Sequence, residues 1–159
     1  MHGRTIRRVL LATMLTAGLG VAAGGQAFAS TSARHAATAS DKKKAKKPTV
    51  KLATSTLGKI LVDAKGRTLY AFDPDGSNID ASQCTGGCAS VWPPLTAKKA
   101  QVGKGLDASF ITVNASGQVA YNNHLLYRYS GDSAKGDTFG QGIGGVWHVV
   151  GADGSPITA

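Results

Sequence analysis

Residues 69–75 read LYAFDPD and residues 126–132 read LYRYSGD, and these two stretches decide the fold. Both follow the pattern Tyr-x-aromatic-x-x-Asp, with 57 positions between equivalent residues, and a tryptophan follows each about twenty residues later. Self-similarity at a fixed spacing is typical of a repeated structural unit. The sequence therefore predicts two copies of one module, at about 52–100 and 101–159, rather than one catalytic domain.

The motif contributes four side chains in each copy. They are Tyr70, Phe72, Asp75 and Trp92 in the first copy, and Tyr127, Tyr129, Asp132 and Trp147 in the second. Alternate side chains of a strand share a face, so the two aromatic residues of each motif project together. Such pairs suit stacking platforms for sugars or flat ligands, but a chain with only ten aromatic residues also needs them in its core. We expect the core role, with the aspartates capping the turns that end the strands.

Short runs of strand-forming residues continue on both sides of the motifs. Residues 57–62 and 67–72 predict a hairpin, residues 110–113, 118–121 and 124–129 a three-stranded meander, and residues 146–150 and 155–157 a last hairpin. Asn122-Asn123 suits a tight turn, and a short helical turn is expected near residues 89–91. The prediction is an all-β domain in which each repeat supplies a small antiparallel sheet, packed as a sandwich or closed as a small barrel.

The N-terminus has the parts of a secretory signal. A basic start precedes an apolar run at residues 9–23 and an Ala-Phe-Ala stretch at 27–29, with small residues at its first and last positions, which predicts a signal peptide at 1–29. The apolar run is short for a bilayer, and no later segment reaches the roughly twenty apolar residues of a membrane helix, so no membrane span is expected. No cysteine stands near the cleavage site, so no lipid anchor is expected either. The mature protein should be secreted.

Charge is concentrated before the predicted domain at 52–159. Residues 30–51 carry seven Lys or Arg against one Asp, whereas eight of each sign follow from Leu52 onward. The first segment predicts a disordered basic linker, and the balanced domain argues against a nucleic-acid partner. The linker is either a solvated spacer or a salt-sensitive adhesive for anionic cell-envelope polymers, such as phosphate-bearing wall polymers. The second interpretation makes the protein cell-wall associated.

Cys84 and Cys88 are the only cysteines. In an exported protein such a pair predicts a disulfide, here closing a very small loop that contains two glycines. The alternative is an extracytoplasmic metal-binding or redox site that uses Cys84 and Cys88 with His124 or His148.

Other local patterns do not match a catalytic or cofactor motif. Residues 73–80 place acids as a calcium loop does, but Gly76 stands fourth instead of sixth and Cys84 takes the place of the closing acid. The glycine tract at 140–145 lacks the strand and helix of a phosphate-binding loop and predicts a flexible turn. No nucleophile elbow is present. We therefore expect no cofactor and no catalytic residues.

Three segments together resemble a known family. They are residues 66–75 (GRTLYAFDPD), 84–95 (CTGGCASVWPPL) and 122–132 (NNHLLYRYSGD). In these segments the chain is similar to the secreted-repeat or "lipoprotein repeat" family, from about residue 57 to 157. Asn123 and Leu125 stand where similar sequences tend to have glycine and proline. That family has no known function. Because a duplicated unit with aromatic pairs supports a surface better than it supports chemistry, we expect an exported, non-catalytic domain with a binding or structural role in the envelope.

Overall fold

The computed structural model describes residues 47–158. The predicted signal peptide and residues 30–46 of the predicted linker lie outside the described residues. Within the described range, no helix has the length and apolar character needed to cross a membrane.

Short strands dominate the described chain. In order, the elements are β1 (Val50–Ser55), β2 (Gly58–Asp63), β3 (Tyr70–Phe72), α1 (Gly87–Val91), β4 (Ile111–Val113), β5 (Val119–Tyr121), β6 (His124–Leu125) and β7 (Trp147–Val149). Single 3₁₀ turns occupy Asp73–Asp75 and Ile143–Gly145. The predicted all-β class is confirmed, and the short helix lies where a helical turn was expected.

The domain begins two residues before the predicted boundary. Val50 and Lys51, placed in the linker from the sequence, belong to β1, and Val50 pairs with Asp63 of β2. Val50 is fully buried. The lysine-rich composition of the linker hides this one apolar residue, which the core takes up.

Two of the three small sheets each come from one repeat. β1 and β2 form an antiparallel hairpin, and β4, β5 and β6 form the predicted meander. Asn122 and Asn123 both adopt positive φ, at 48° and 61°, as the tight turn between β5 and β6 requires. The expectation that each repeat supplies a sheet holds for these two.

The third sheet joins the repeats. β3 pairs antiparallel with β7, so that Tyr70 lies opposite Val149 and Phe72 opposite Trp147. The predicted hairpin between residues 57–62 and 67–72 is therefore reduced to the bridge between Val62 and Thr68. The turn itself forms, but the chain leaves β2 after Leu69 because the backbone groups of Tyr70 bond across the molecule to the second repeat.

Each repeat contains the same closed triangle of backbone hydrogen bonds. In the first, Leu69 donates to Leu61, Leu61 to Val150 and Val150 to Leu69; in the second, Leu126 donates to Val119, Val119 to Leu95 and Leu95 to Leu126. The six N···O distances lie between 2.8 and 3.0 Å. The second repeat supplies Val150 to the first triangle, and the first repeat supplies Leu95 to the second triangle. The duplicated sequence has therefore produced a duplicated backbone arrangement.

Two clusters of buried side chains form the core, and each takes residues from both repeats. Tyr70 and Tyr127 lie in one cluster, and Leu69 and Leu126 lie in the other. Because neighbouring side chains of a strand point to opposite faces, the motif strands bury both of their faces between the two clusters.

Candidate functional site

The two motif strands meet at their tyrosines. Tyr70 N–H donates to the Tyr127 carbonyl, and Tyr127 N–H donates to the Tyr70 carbonyl, both at 2.9 Å. Each tyrosine thus donates one backbone hydrogen bond to its equivalent and accepts one from it, as equivalent residues do across a two-fold axis. The centre of the repeat motif is also the centre of the contact between the repeats.

The hydroxyl of each motif tyrosine donates a hydrogen bond to the aspartate of the other repeat. Tyr70 Oη lies 2.7 Å from Asp132 Oδ2, and Tyr127 Oη lies 2.5 Å from Asp75 Oδ2. Asp75 and Asp132 are only 6% and 7% exposed. The motif is therefore completed between the repeats, and not within one of them.

Both aspartates also close the loop that follows their own strand. Asp75 accepts the N–H of Gln83 at 2.7 Å, and Asp132 accepts the N–H of Phe139 at 3.0 Å. The sequence assigned these carboxylates to the turn that ends the strand, but their backbone partners lie eight and seven residues further on. The prediction was too local, since a carboxylate with two oxygens can serve a distant tyrosine and a distant backbone N–H together.

The buried environment keeps both tyrosines protonated. Burial raises the pKa of both tyrosines well above the usual value, and the hydrogen bond to an aspartate raises it further. Burial also raises the pKa of Asp132, against the hydrogen bond that Tyr70 donates. The tyrosines retain their protons at neutral pH. With both rings fully buried, the pairs act as cross-links within the core rather than as acids or bases for a substrate.

Four aromatic rings stack in a column beside these pairs. Phe72 lies 4.2 Å from Trp147, Trp147 lies 3.8 Å from Trp92, and Trp92 lies 4.5 Å from Tyr129, measured between ring centroids. The two tryptophan planes differ by only 2°. The column alternates between repeats, and the flat faces of both tryptophans are covered by other rings. The motif side chains pack on one another, and the two tryptophans offer no open stacking platform.

Gly140 packs under the rings of Trp92 and Tyr70. A Cβ at this position would lie 2.8 Å from atoms of both rings, and the Gly140 N–H donates to Tyr70 Oη at 3.2 Å. Gln83 and Phe139 are equivalent because each donates its N–H to a motif aspartate. The residues that follow them, Cys84 and Gly140, therefore occupy equivalent places in the two repeats. Within the tract predicted as a flexible turn, this glycine instead packs tightly against two core rings.

The candidate metal ligands are not brought together. Cys84 and Cys88 form the predicted disulfide, with their Cα atoms 5.2 Å apart, so neither thiol is free. His148 Nε2 lies 3.2 Å from Asp73 Oδ2, and His124 also feels the charge of Asp73. Burial lowers the pKa of His124, and Asp73 opposes that shift. Among residues 47–158 no three His, Cys, Asp or Glu side chains are spaced to hold a metal ion.

A basic groove lies where the linker joins the domain. Its volume is about 510 Å³, and it is lined by Lys47, Thr49, Lys98, Lys99, Ala100 and Gln101. Thr49 N–H donates to the Gln101 carbonyl at 2.7 Å, and Val50 bridges to Val102. These bonds lay the start of the domain beside residues 98–102. The groove is not visible in the sequence because Lys98 and Lys99 stand about fifty positions from Lys47.

The two repeats of the chain are similar to a known protein family. The searches of curated proteins and of solved structures each returned no match. A family model described as a secreted repeat of unknown function matches twice, at residues 51–96 and 112–151. The two matches cover more than half of the chain and coincide with the two repeats seen in the fold. The predicted resemblance is confirmed, and the chain belongs to this family of secreted repeats of unknown function.

Proposed function

We propose that this protein is a non-catalytic exported domain that binds anionic polymers of the cell envelope through its basic linker. The observation that carries the proposal is the separation of charge along the chain. Residues 30–51 carry seven Lys or Arg against one Asp, whereas the domain that follows is balanced. A dense run of like charge on a secreted protein favours attraction to polyanions at the cell surface.

The buried state of the repeat motif supports a non-catalytic role. Tyr70 and Tyr127 are fully buried, and their hydroxyl groups are bonded to buried aspartates. The features that define the family thus serve the contact between repeats, and recognition falls to the surface outside the motif. Function is carried by such surface sites and is not implied by a fold.

Retention on isolated cell walls tests this proposal. Deleting residues 42–46 (KKKAK) removes four lysines, and deleting residues 36–40 (AATAS) shortens the chain equally without removing charge. We expect the first deletion to release most of the protein from the walls at low ionic strength and the second to leave retention unchanged. The intact protein should elute as salt is raised, because screening weakens exposed charges.

Equal retention of the two deletion variants, or retention that does not fall between about 0.05 and 0.5 M salt, would contradict the proposal. The basic segment would then be a solvated spacer. Far-ultraviolet circular dichroism of both variants shows whether the domain remains folded.

A further inference from the structure

The basic groove extends the charge of the linker onto the folded domain. Lys47 belongs to the lysine run of the linker and also lines the groove, together with Lys98 and Lys99. All three side chains are exposed. The N–H of Gln101 bonds to Thr49 Oγ1 at 3.2 Å, which adds a side-chain contact between the start of the domain and the opposite wall of the groove.

Among the residues that the structure describes, no acidic side chain lines the groove to neutralise these lysines. The carboxylate that lines the adjoining pocket, Asp63, is engaged by Arg128 at 2.8 Å and by Arg67 at 3.1 Å, and its side chain is 3% exposed. In residues 47–158, the ion pairs are these two and the contact of His148 with Asp73. The three lysines are therefore available to an anionic ligand.

We propose that this groove binds the phosphodiester backbone of a cell-wall polymer, continuing the contact that the linker begins. The inference rests on the proposed function and assigns it a second, folded site. Lysine binds phosphate as a compact point charge, and a row of phosphates along one chain can contact the linker and the groove in succession.

The lining of the groove favours a wall polymer over a nucleic acid. Proteins that bind single-stranded nucleic acid combine a basic groove with aromatic side chains on which bases stack. In the part of the chain that the structure describes, the side chains that line the groove include no aromatic residue. A polymer of phosphate and small polyols has no bases to stack and needs only cations and room for the chain.

Titration with synthetic poly(glycerol phosphate) tests the site on the full mature protein. The test variant is Lys98→Ser/Lys99→Ser, and the matched control is Lys59→Ser/Lys135→Ser, which removes two exposed lysines outside the groove. We expect the test variant to bind about tenfold more weakly at low salt and the control to change less than about twofold. The slope of log K against log salt should fall by about 0.7 for each lost phosphate contact.

The arms of the experiment separate the possible outcomes. If the linker deletion weakens binding and the groove variant binds like its control, the groove is not a site and the proposed function stands. If neither change weakens binding, both proposals fail. Equal affinity for polyglutamate of matched charge would overturn the preference for phosphate, and tighter binding to oligo-dT would assign the groove to nucleic acid instead.

Discussion

The hydroxyl of Tyr70 donates a hydrogen bond to a buried carboxylate. Asp132 accepts this hydroxyl at 2.7 Å and is 7% exposed. We predict that Tyr70→Phe lowers the free energy of unfolding by about 1–3 kcal/mol, because the carboxylate loses a donor that water cannot replace. Urea denaturation measures the change.

Tyr129→Phe is the matched control for this substitution, since Tyr129 is a half-buried tyrosine of the second copy of the motif. It should change the stability by less than about 0.5 kcal/mol. A Tyr70→Phe protein as stable as the control would show that the cross-repeat hydrogen bond contributes nothing.

Gly140 is a second residue at which a small substitution should disturb the packing of the core. We predict that Gly140→Ala destabilises the fold by about 1–3 kcal/mol, because the added methyl group would meet the rings of Trp92 and Tyr70. Gly87→Ala is the control, since no atom lies within 4 Å of its Cβ position and alanine favours the first turn of α1. Thermal denaturation should show a lower Tm for the first variant alone; equal Tm values would mean that the rings give way at little cost.

At the residue scale, the sequence predicts which side chains matter better than it predicts their partners. Tyr70 and Asp75 are visible in the motif because they recur in the second copy. The bond that each makes to the opposite copy is not visible, because sequence spacing describes only contacts within a strand or turn. For the same reason Gly140 was interpreted as part of a flexible tract.

At the element scale, the turn after β2 is linked to the second repeat by one buried carboxylate. Asp63 accepts bonds from the backbone and side chain of Arg67 and from the side chain of Arg128. Burial of Asp63 acts to raise its pKa, but these hydrogen bonds and the charge of Arg128 outweigh burial and lower it below 3.8.

The lowered pKa of Asp63 predicts how the stability of the protein changes as the pH falls. The folded state holds the Asp63 proton less tightly than the unfolded state, so the stabilisation is complete above pH 3.8 and is lost as the pH falls through the lower folded value. Asp63→Asn should lower the free energy of unfolding at pH 7 by about 1–3 kcal/mol, a moderate loss because both arginines are partly exposed to water. The stability of this variant should also fall less on acidification than that of the intact protein. Urea unfolding between pH 2 and 7 measures both effects, and the exposed Asp80→Asn is the control. Parallel curves for Asp63→Asn and the intact protein would contradict the assignment.

The elements themselves were predictable to different degrees. The β4–β5–β6 meander follows from local signals, since the asparagine pair fixes the turn and the flanking strands pair with their neighbours. The pairing of β3 with β7 joins residues more than seventy positions apart. No turn specifies that pairing, so the sequence suggested the nearer hairpin instead.

At the scale of the whole molecule, the two repeats are interlocked. β3 has its sheet partner in the second repeat, and both tyrosine–aspartate bonds cross between repeats. We predict that residues 30–104 and 105–159, produced separately, show no cooperative unfolding, because each half leaves a motif strand and a buried aspartate without partners. Mixed in equal amounts, they should recover the near-ultraviolet circular dichroism of the intact chain.

Cooperative unfolding of either half alone would mean that a repeat is a domain in its own right. The sequence predicted two modules, and the family match confirms two repeats. Two repeats can be modules that fold separately or modules that complete each other. That distinction depends on which copy supplies each strand partner, and duplicated motifs are equally compatible with both arrangements.

The stacked tryptophans give the molecule a built-in optical signal. Trp92 and Trp147 are the only indoles in the chain, and their nearly parallel rings lie 3.8 Å apart. Transitions in two chromophores this close couple, so the pair absorbs and emits as one unit whose spectrum differs from that of two isolated indoles. One indole comes from each repeat, and separation of the halves would abolish the coupling without any added label.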